Sequence, residues 1–477
     1  MKKNIYEMPD LKKAGRREKE KNINFKAFEI DKAYLNMGNN LKYFIKTHGC
    51  QANQRDSETM AGILEMLGYS QANDENEADL IIINTCAVRQ NAEEKVYGEI
   101  GALKKLKKEK PEMVIAIGGC MAQEEEAVKT IMEKYHQVDI VFGTHNITNL
   151  PKLLYDTYKS RKRVFEVFSK LGEVEERVPV TRFMKHKAWV NIMYGCDKFC
   201  TYCIVPYTRG TERSRRKEDI LEEINQLVKD GYKEVCLLGQ NVNAYGKDLG
   251  DTYGFGNLLE DTAKTGIERI RFVTSHPWDF NDSMIEAMKN NPNIMPYLHL
   301  PLQSGSSKIL KKMNRRYDKE EYLALFDKLK RELPHYAFTT DIIVGFPNET
   351  DEDFNETLKV VDHCKFDNAF TFIYSPRIGT PAALMQDDVP TSVKEERLQI
   401  LNKKIADYAN MNNQKFKDQV VEVLVDGLSK RNSTIYSGYT KENKLVNFKA
   451  KEDIEVGQLV KVKITEVMSF SLNGIML

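Results

Sequence analysis

Short apolar runs alternate with stretches of helical periodicity through the first third of the chain. Leu41–Thr47 (LKYFIKT), Asp79–Asn84 (DLIIIN) and Met113–Ile117 (MVIAI) each read as a strand. Between the first two lies Asp56–Leu67, with Met60, Ile63, Leu64 and Leu67 at helical spacing, and Asn91–Lys108 follows the second. Alternating strand and helix predicts a parallel sheet with helices on its faces.

The same alternation resumes from Lys187 to Asp388. Trp189–Tyr194, Glu234–Leu238, Arg269–Val273, Tyr297–Pro301, Thr339–Val344 and Ala369–Ile373 are the predicted strands. Lys217–Lys229, Asn281–Lys289, Ser307–Met313 with Lys319–Glu332, and Asp351–Cys364 are the predicted helices. Six such units predict a partial (β/α)6 barrel, open where the eight-fold form closes. From Asp418 the pattern changes to short strands: Val420–Val425, Ile435–Thr440, Lys444–Phe448 and Leu459–Val467. Asp426-Gly427, Asn432-Ser433 and Asn473-Gly474 read as turns between or after them. A small antiparallel β-barrel of a kind that binds oligonucleotides is expected there. The fold class is therefore α/β, in four parts: a flexible extension over 1–40, a parallel α/β sheet domain over 41–160, the partial barrel over 182–412, and the small barrel over 413–477.

Composition narrows the class. Of 477 residues, 41% are hydrophobic and 30% charged, a globular balance. Lys+Arg of 71 against Asp+Glu of 70 leaves a formal charge of +1, so only local patches say anything about partners. No apolar run approaches the ~18 residues of a membrane span, and no secretory signal is expected at the N-terminus. The eight cysteines then belong to a reducing cytoplasm and act as ligands or buried thiols.

Six of those cysteines fall into two sets. Cys196, Cys200 and Cys203 form a C-x3-C-x2-C cluster in one loop. Three thiolates hold three irons of a [4Fe–4S] cluster and leave the fourth open, whereas a structural site closes all its positions. Zinc is the competing reading, but it wants a fourth ligand, and the nearest histidine is His186. Cys50, Cys86 and Cys120 each lie just past the carboxyl end of a predicted strand. Ligands of parallel sheets bind at such ends, so these three are expected to converge on a second open cluster. The alternative is three separate buried thiols. Cys236, inside a strand, and Cys364, near a helix end, read as core thiols.

Polar turns follow the barrel strands. Gln240, Asn243, Ser275, Gln303, Ser304 and Asp341 are candidates to line a pocket for a polar cofactor. His276 and His299 are candidate bases or structural histidines. Two basic runs, Arg209–Lys217 and Lys308–Arg316, are candidates for phosphate contacts or solvated faces. In the last module Lys+Arg number 10 and Asp+Glu 8 over 415–477, so charge does not decide RNA binding there. Tyr436, Tyr439 and Phe448 are candidates to stack on bases or to fill the small barrel.

The chain resembles the radical S-adenosylmethionine (SAM) methylthiotransferases over nearly its whole length after the first forty residues. The likeness rests on Thr47–Asn53 (THGCQAN), Asn84–Lys95 (NTCAVRQNAEEK), Ser275–Pro277 (SHP), His299–Ser306 (HLPLQSGS) and Thr340–Thr350 (TDIIVGFPNET), together with the cysteine loop. Within that family it is most similar to the enzymes acting on isopentenyl-adenosine in tRNA. The last module is similar to the family's TRAM domain. The resemblance implies methylthiolation at C2 of the adenine at position 37 of tRNA, using two SAM. It implies one [4Fe–4S] cluster on Cys196, Cys200 and Cys203 that cleaves SAM, and an auxiliary [4Fe–4S] cluster on Cys50, Cys86 and Cys120 that carries the sulfur. It also implies a tRNA substrate, an electron donor such as a flavodoxin or ferredoxin, and a monomeric cytoplasmic enzyme. Two relatives remain as alternatives, acting on threonylcarbamoyl-adenosine or on a ribosomal-protein aspartate. So does a non-catalytic iron–sulfur or zinc protein that binds RNA.

Overall fold

A computed structural model describes residues 23–87, 90–167, 173–250, 252–430, 432–450 and 453–477; nothing is described of the side chains of 90–94. Part of the Asn84–Lys95 run and residues 1–22 thus lie outside the described residues. The N-terminal sheet has six parallel strands. In spatial order these are Ser70–Gln71, Lys42–Thr47, Leu80–Thr85, Val114–Gly119, Ile140–Phe142 and Val164–Glu166. All six positions of the two central strands are buried, as expected for a sheet covered on both faces. Ile81, Ile83, Ile115 and Ile117 pack under Gln90–Glu109 and Glu125–Lys134. Leu80, Ile82, Val114 and Ala116 pack on the other side, under Gln51–Met66 and Leu150–Ser160.

Residues 23–40 depart from the expected flexible extension. Asn24–Ala27 pairs in parallel with Glu173–Glu176, and Phe28, Ile30, Tyr34 and Met37 pack on the N-terminal core. Their polar neighbours hid this, because the pairing strand lies far away in sequence.

The central region has the six expected parallel strands, ordered Lys187–Asn191, Glu234–Leu238, Arg269–Phe272, Tyr297–His299, Ala337–Val344 and Asn368–Ile373. A parallel bridge between Ile270 and Ile294 stitches the first three to the last three. No pairing links the first strand to the last among the described residues, so the barrel is open. Helices not anticipated there include Phe255–Ala263, only nine residues long, and Thr391–Asn413, which packs on the last strand.

The C-terminal module is a closed five-stranded barrel of Val420–Ser429, Asn432–Tyr439, Leu445–Lys449, Leu472–Met476 and Leu459–Val467. It is not wholly antiparallel, since Leu445–Lys449 and Leu472–Met476 run parallel. Asn473-Gly474, expected as a turn, lies inside that last strand. A Cβ at Gly474 would sit 2.5 Å from the Lys463 carbonyl oxygen, so glycine serves close approach of two strands. Phe448 is core, stacked on Tyr436. This barrel plugs the floor of the central one. Arg269 and Arg271 alternate with Ile270 and Phe272, which face the helices, so both point inward. There they donate to the Tyr439, Thr440 and Lys441 carbonyls.

Candidate active site

Cys50, Cys86 and Cys120 do converge. Cys50 caps the helix Gln51–Met66, Cys86 follows Leu80–Thr85, and Cys120 follows Val114–Gly119. The Cys120 amide donates to the Thr85 carbonyl at 2.9 Å, which sets Cys120 beside the Cys86 turn. Gly49 makes the convergence possible: its φ is +140°, and a Cβ there would lie 2.7 Å from the Cβ of Cys86. Beneath the thiols sits a buried polar lattice. Asn53 donates to Asn84 Oδ1 and the Thr85 carbonyl, and Asn84 donates to the Asn53 carbonyl and Ser57 Oγ. Every member is hydrogen-bonded, which fixes the strand ends rigidly.

Cys196, Cys200 and Cys203 occupy the loop after the first barrel strand. Gly195 turns the chain into it at φ +73°, and a Cβ there would lie 1.9 Å from the Thr211 carbonyl oxygen. The loop is pinned from across the barrel mouth. Asn314 donates to the Lys198 and Phe199 carbonyls, and Thr201 bonds through its amide and hydroxyl to the Met313 and Lys312 carbonyls. Arg315 donates to Cys200 Sγ at 3.4 Å and to Tyr317 and the Pro301 carbonyl.

The two sets face each other. Cys120 packs in one apolar cluster with Ala87, which follows Cys86, and with Ile204 and Tyr207, which lie in the segment after Cys203. Arg209 crosses the same junction to a 2.7 Å ion pair with Asp56. Burial works against its charge, but the Asp56 carboxylate holds it firmly protonated. Farther along the seam Glu223 meets Arg55, Arg182 and Arg215, while Arg215 also forks onto Glu176. A cavity of about 510 Å³ opens within this seam, lined by Arg55, Asp56, Arg209 and Glu223 among others. None of the six cysteines lines it.

The thiols fit iron ligation. Burial pushes Cys120 and Cys203 up to about 12, and Cys196 well above its usual value, so each is a protonated thiol until a metal displaces the proton. Among the described residues no three such groups surround one point closely enough for a single ion. Cys364 packs in the barrel core, and Cys236 is buried within the strand Glu234–Leu238.

The expected cofactor residues divide. Gln240 Oε1, both polar atoms of Asn243, Ser275 Oγ and His276 Nε2 are buried without hydrogen-bond partners, at the ends of two adjacent strands. Unpaired buried polar atoms each cost about 1–3 kcal/mol, so their concentration marks a site built for a polar ligand. Burial, then Arg315, pulls His276 down to about 2, so it is neutral. Gln303 sits at φ +70° and bridges to Ile342. Ser304 uses its hydroxyl on the Ser306 amide and Thr357, inside its own turn. Asp341 pairs with His299 Nε2 at 3.3 Å.

The basic runs divide, with Lys311 and Arg316 exposed and other members turned inward. Arg209, Arg213, Arg215 and Arg315 are buried. Lys308 pairs with Asp353 and Arg216 with Asp219. Only the run itself hinted at Arg209 and Arg315, and nothing near Cys50 in sequence hinted at Asp56. Lys198, Asn241 and Lys247, gathered on Asp279 beside the cysteine loop, were also missed.

Comparison with known proteins follows the same partition. Residues 42–143 match the "Uncharacterized protein family UPF0004", 190–361 the Radical SAM superfamily and 414–477 the TRAM domain. The chain is 56% identical, over 98% of its length and 92% of the relative's, to a tRNA-2-methylthio-N(6)-dimethylallyladenosine synthase of Staphylococcus saprophyticus. It is 53% identical to the synthase of that name from Staphylococcus aureus, over 98% of this chain and 91% of the relative. Among solved structures, the radical SAM methyltransferase TsrM from Kitasatospora setae aligns with TM-score 0.51 at 13% identity, covering 72% of this chain and 75% of that one. At that identity the likeness is one of fold.

Proposed function

Because the chain belongs to the family of tRNA-2-methylthio-N(6)-dimethylallyladenosine synthases, we propose that it converts C2–H of dimethylallyl-adenosine in tRNA to C2–S–CH3. The observation that carries this is the meeting of the two cysteine sets at one junction, through Cys120, Ile204 and Tyr207. A sulfur on one set must reach a carbon activated by the other, so the sets have to share a pocket. Cys196, Cys200 and Cys203 would hold one [4Fe–4S] cluster, and Cys50, Cys86 and Cys120 the auxiliary one. Bound there with SAM, they supply the radical and the sulfur that an unactivated C–H bond requires.

The chain's own residues do the rest. Gln240, Asn243 and Ser275 present unpaired polar atoms to the SAM head and nucleoside. Gln303 follows the fourth strand and Asp341 lies within the fifth, while Ser304 shapes the turn. Arg315 holds Cys200 and Arg209 places a fixed positive charge beside Cys50 and Cys120. Ile204, Tyr207 and Ala87 keep water from the junction. The C-terminal barrel carries the tRNA contact. The electron donor is of the flavodoxin or ferredoxin type, and the enzyme acts as a cytoplasmic monomer. Each part having its own apolar core supports the last point. Among the described residues no helix is long and apolar enough to cross a membrane.

The test is anaerobic reconstitution with iron, sulfide, SAM and reductant on tRNA carrying dimethylallyl-adenosine. Mass spectrometry of the nucleosides should show the methylthio product. A Cys50→Ala variant with undiminished product would refute the assignment of the auxiliary site.

A further inference from the structure

Phe370 and Phe372 are 48% and 39% exposed on the last barrel strand. Their neighbours show which way they face. Thr371 bonds Asn402 of the covering helix, and Ala369 and Ile373 pack on the outer core. By alternation the two phenylalanines point into the barrel. Large aromatic side chains left uncovered on a concave face mark a binding surface.

The wall is continuous with the chemistry. Phe370 and Phe372 stand in register with Asp341 and Ile343, and the Phe370 ring is edge-on to His299 at 5.8 Å. Ile343 packs on the same apolar cluster as Tyr202, which lies between Cys200 and Cys203. The unpaired polar atoms of Gln240, Asn243 and Ser275 follow the second and third strands, across the barrel from the sixth. Charge sharpens the choice of occupant. The six strands carry three cations, Lys187, Arg269 and Arg271, and these pair with Asp426, Glu422 and Glu234. A substituent bearing a carboxylate finds no free cation on those strands.

We propose that Phe370 and Phe372 form the wall that receives the apolar N6 substituent of the target adenosine, and so select a dimethylallyl group over an unsubstituted or anionic one. This rests on the function proposed above. The adenine ring then lies between the wall and the SAM-side polar groups, with the His299–Asp341 pair at the polar edge.

Anticodon stem-loop RNAs differing only at the target, adenosine or dimethylallyl-adenosine, are titrated by fluorescence anisotropy against cluster-loaded wild type and a Phe370→Ala/Phe372→Ala variant. Methylthiolation is assayed in parallel. The wild type should prefer the dimethylallyl RNA, and the variant should lose that preference by roughly tenfold or more, the scale of a lost apolar contact in such a pocket. Its affinity for the unmodified RNA and its iron content should not change. Phe370→Leu and Phe372→Leu, milder truncations that serve if the alanine pair does not fold, should each lose part of the preference. A wild-type preference retained in the alanine pair, or in both leucine variants, overturns the proposal. A wild type that makes no methylthio product overturns the parent function instead, and the binding ratio still judges the wall.

Discussion

Glu223 is the acid on which the seam between the N-terminal sheet and the barrel turns. Its Oε1 receives Arg182 at 2.5 Å and Arg55 at 3.2 Å, and its Oε2 receives Arg215 at 2.7 Å. Burial alone would raise its pKa, but Arg215, then Arg55 and Arg182, outweigh burial and bring it from 4.5 to about 2. Each tenfold change in proton affinity is worth about 1.36 kcal/mol, so ionised Glu223 stabilises the folded state by ~3 kcal/mol at neutral pH. The folded pKa lies below the unfolded one. The contribution is therefore complete above pH 4.5 and disappears as pH falls to about 2. Glu223→Gln removes the charge and leaves three guanidiniums facing one another, a cost of about 3–5 kcal/mol for one partner lost from a buried set.

The assay is urea unfolding of the iron-free protein, followed by tryptophan fluorescence. Both tryptophans, Trp189 and Trp278, lie in the central barrel, and Arg182 donates to the Trp189 carbonyl. At pH 7 the variant's first transition should move down by roughly 1 M urea, given slopes of about 1–3 kcal/mol/M. At pH 3 the gap between wild type and variant should shrink to less than half. An unmoved midpoint at pH 7, or a gap independent of pH, would refute the reasoning.

Four other perturbations test separate parts. Gly195→Ala forces a Cβ to 1.9 Å from the Thr211 carbonyl oxygen at φ +73°; iron analysis and paramagnetic resonance should show loss of the SAM-cleaving cluster alone. Arg315→Met removes the donor to Cys200, so a redox titration should find that cluster's potential lowered, since a nearby cation favours the reduced state. Cys236→Ala should leave iron content at the wild-type value and cost about 1 kcal/mol in thermal unfolding, its thiol being pushed up to about 12 by burial. Gly474→Ala sets a Cβ 2.5 Å from the Lys463 carbonyl oxygen; filter binding should show weaker tRNA affinity, with RNA-independent SAM cleavage intact.

What was legible in the chain was what local pattern encodes. The barrel strands are apolar runs bounded by turn residues, and their ends agree with the structure to within a few residues. The cysteines were legible for the same reason, because strand ends of a parallel sheet are where ligands go. Non-local pairing was not legible. Asn24–Ala27 is too polar to announce a strand, and its partner begins at Glu173. Phe255–Ala263 starts at Gly254, which offers no side-chain cap. The basic runs divide most instructively. Arg315 turns inward to Cys200 while its neighbour Arg316 turns outward over the Trp278 ring. Arg209 finds Asp56 in another domain. A run of like charges says that partners exist, not where they are.

The buried members bear on how the two cysteine sets come to face each other. The seam is built mainly from charge: Arg55, Arg182 and Arg215 on Glu223, Arg182 on Glu58, Arg215 on Glu176, and Arg209 on Asp56. An apolar seam would tolerate sliding, because hydrophobic burial has no direction. Here Arg55, Arg182 and Arg209 must each meet a carboxylate of the other half, Glu223, Glu58 and Asp56, and breaking a buried pair costs about 3–5 kcal/mol. One relative placement of sheet and barrel satisfies all of them. The apolar cluster of Ala87, Cys120, Ile204 and Tyr207 appears only where the cysteine loops touch. Charge therefore fixes the register of the two halves, and apolar packing dries the one point where sulfur has to pass between them.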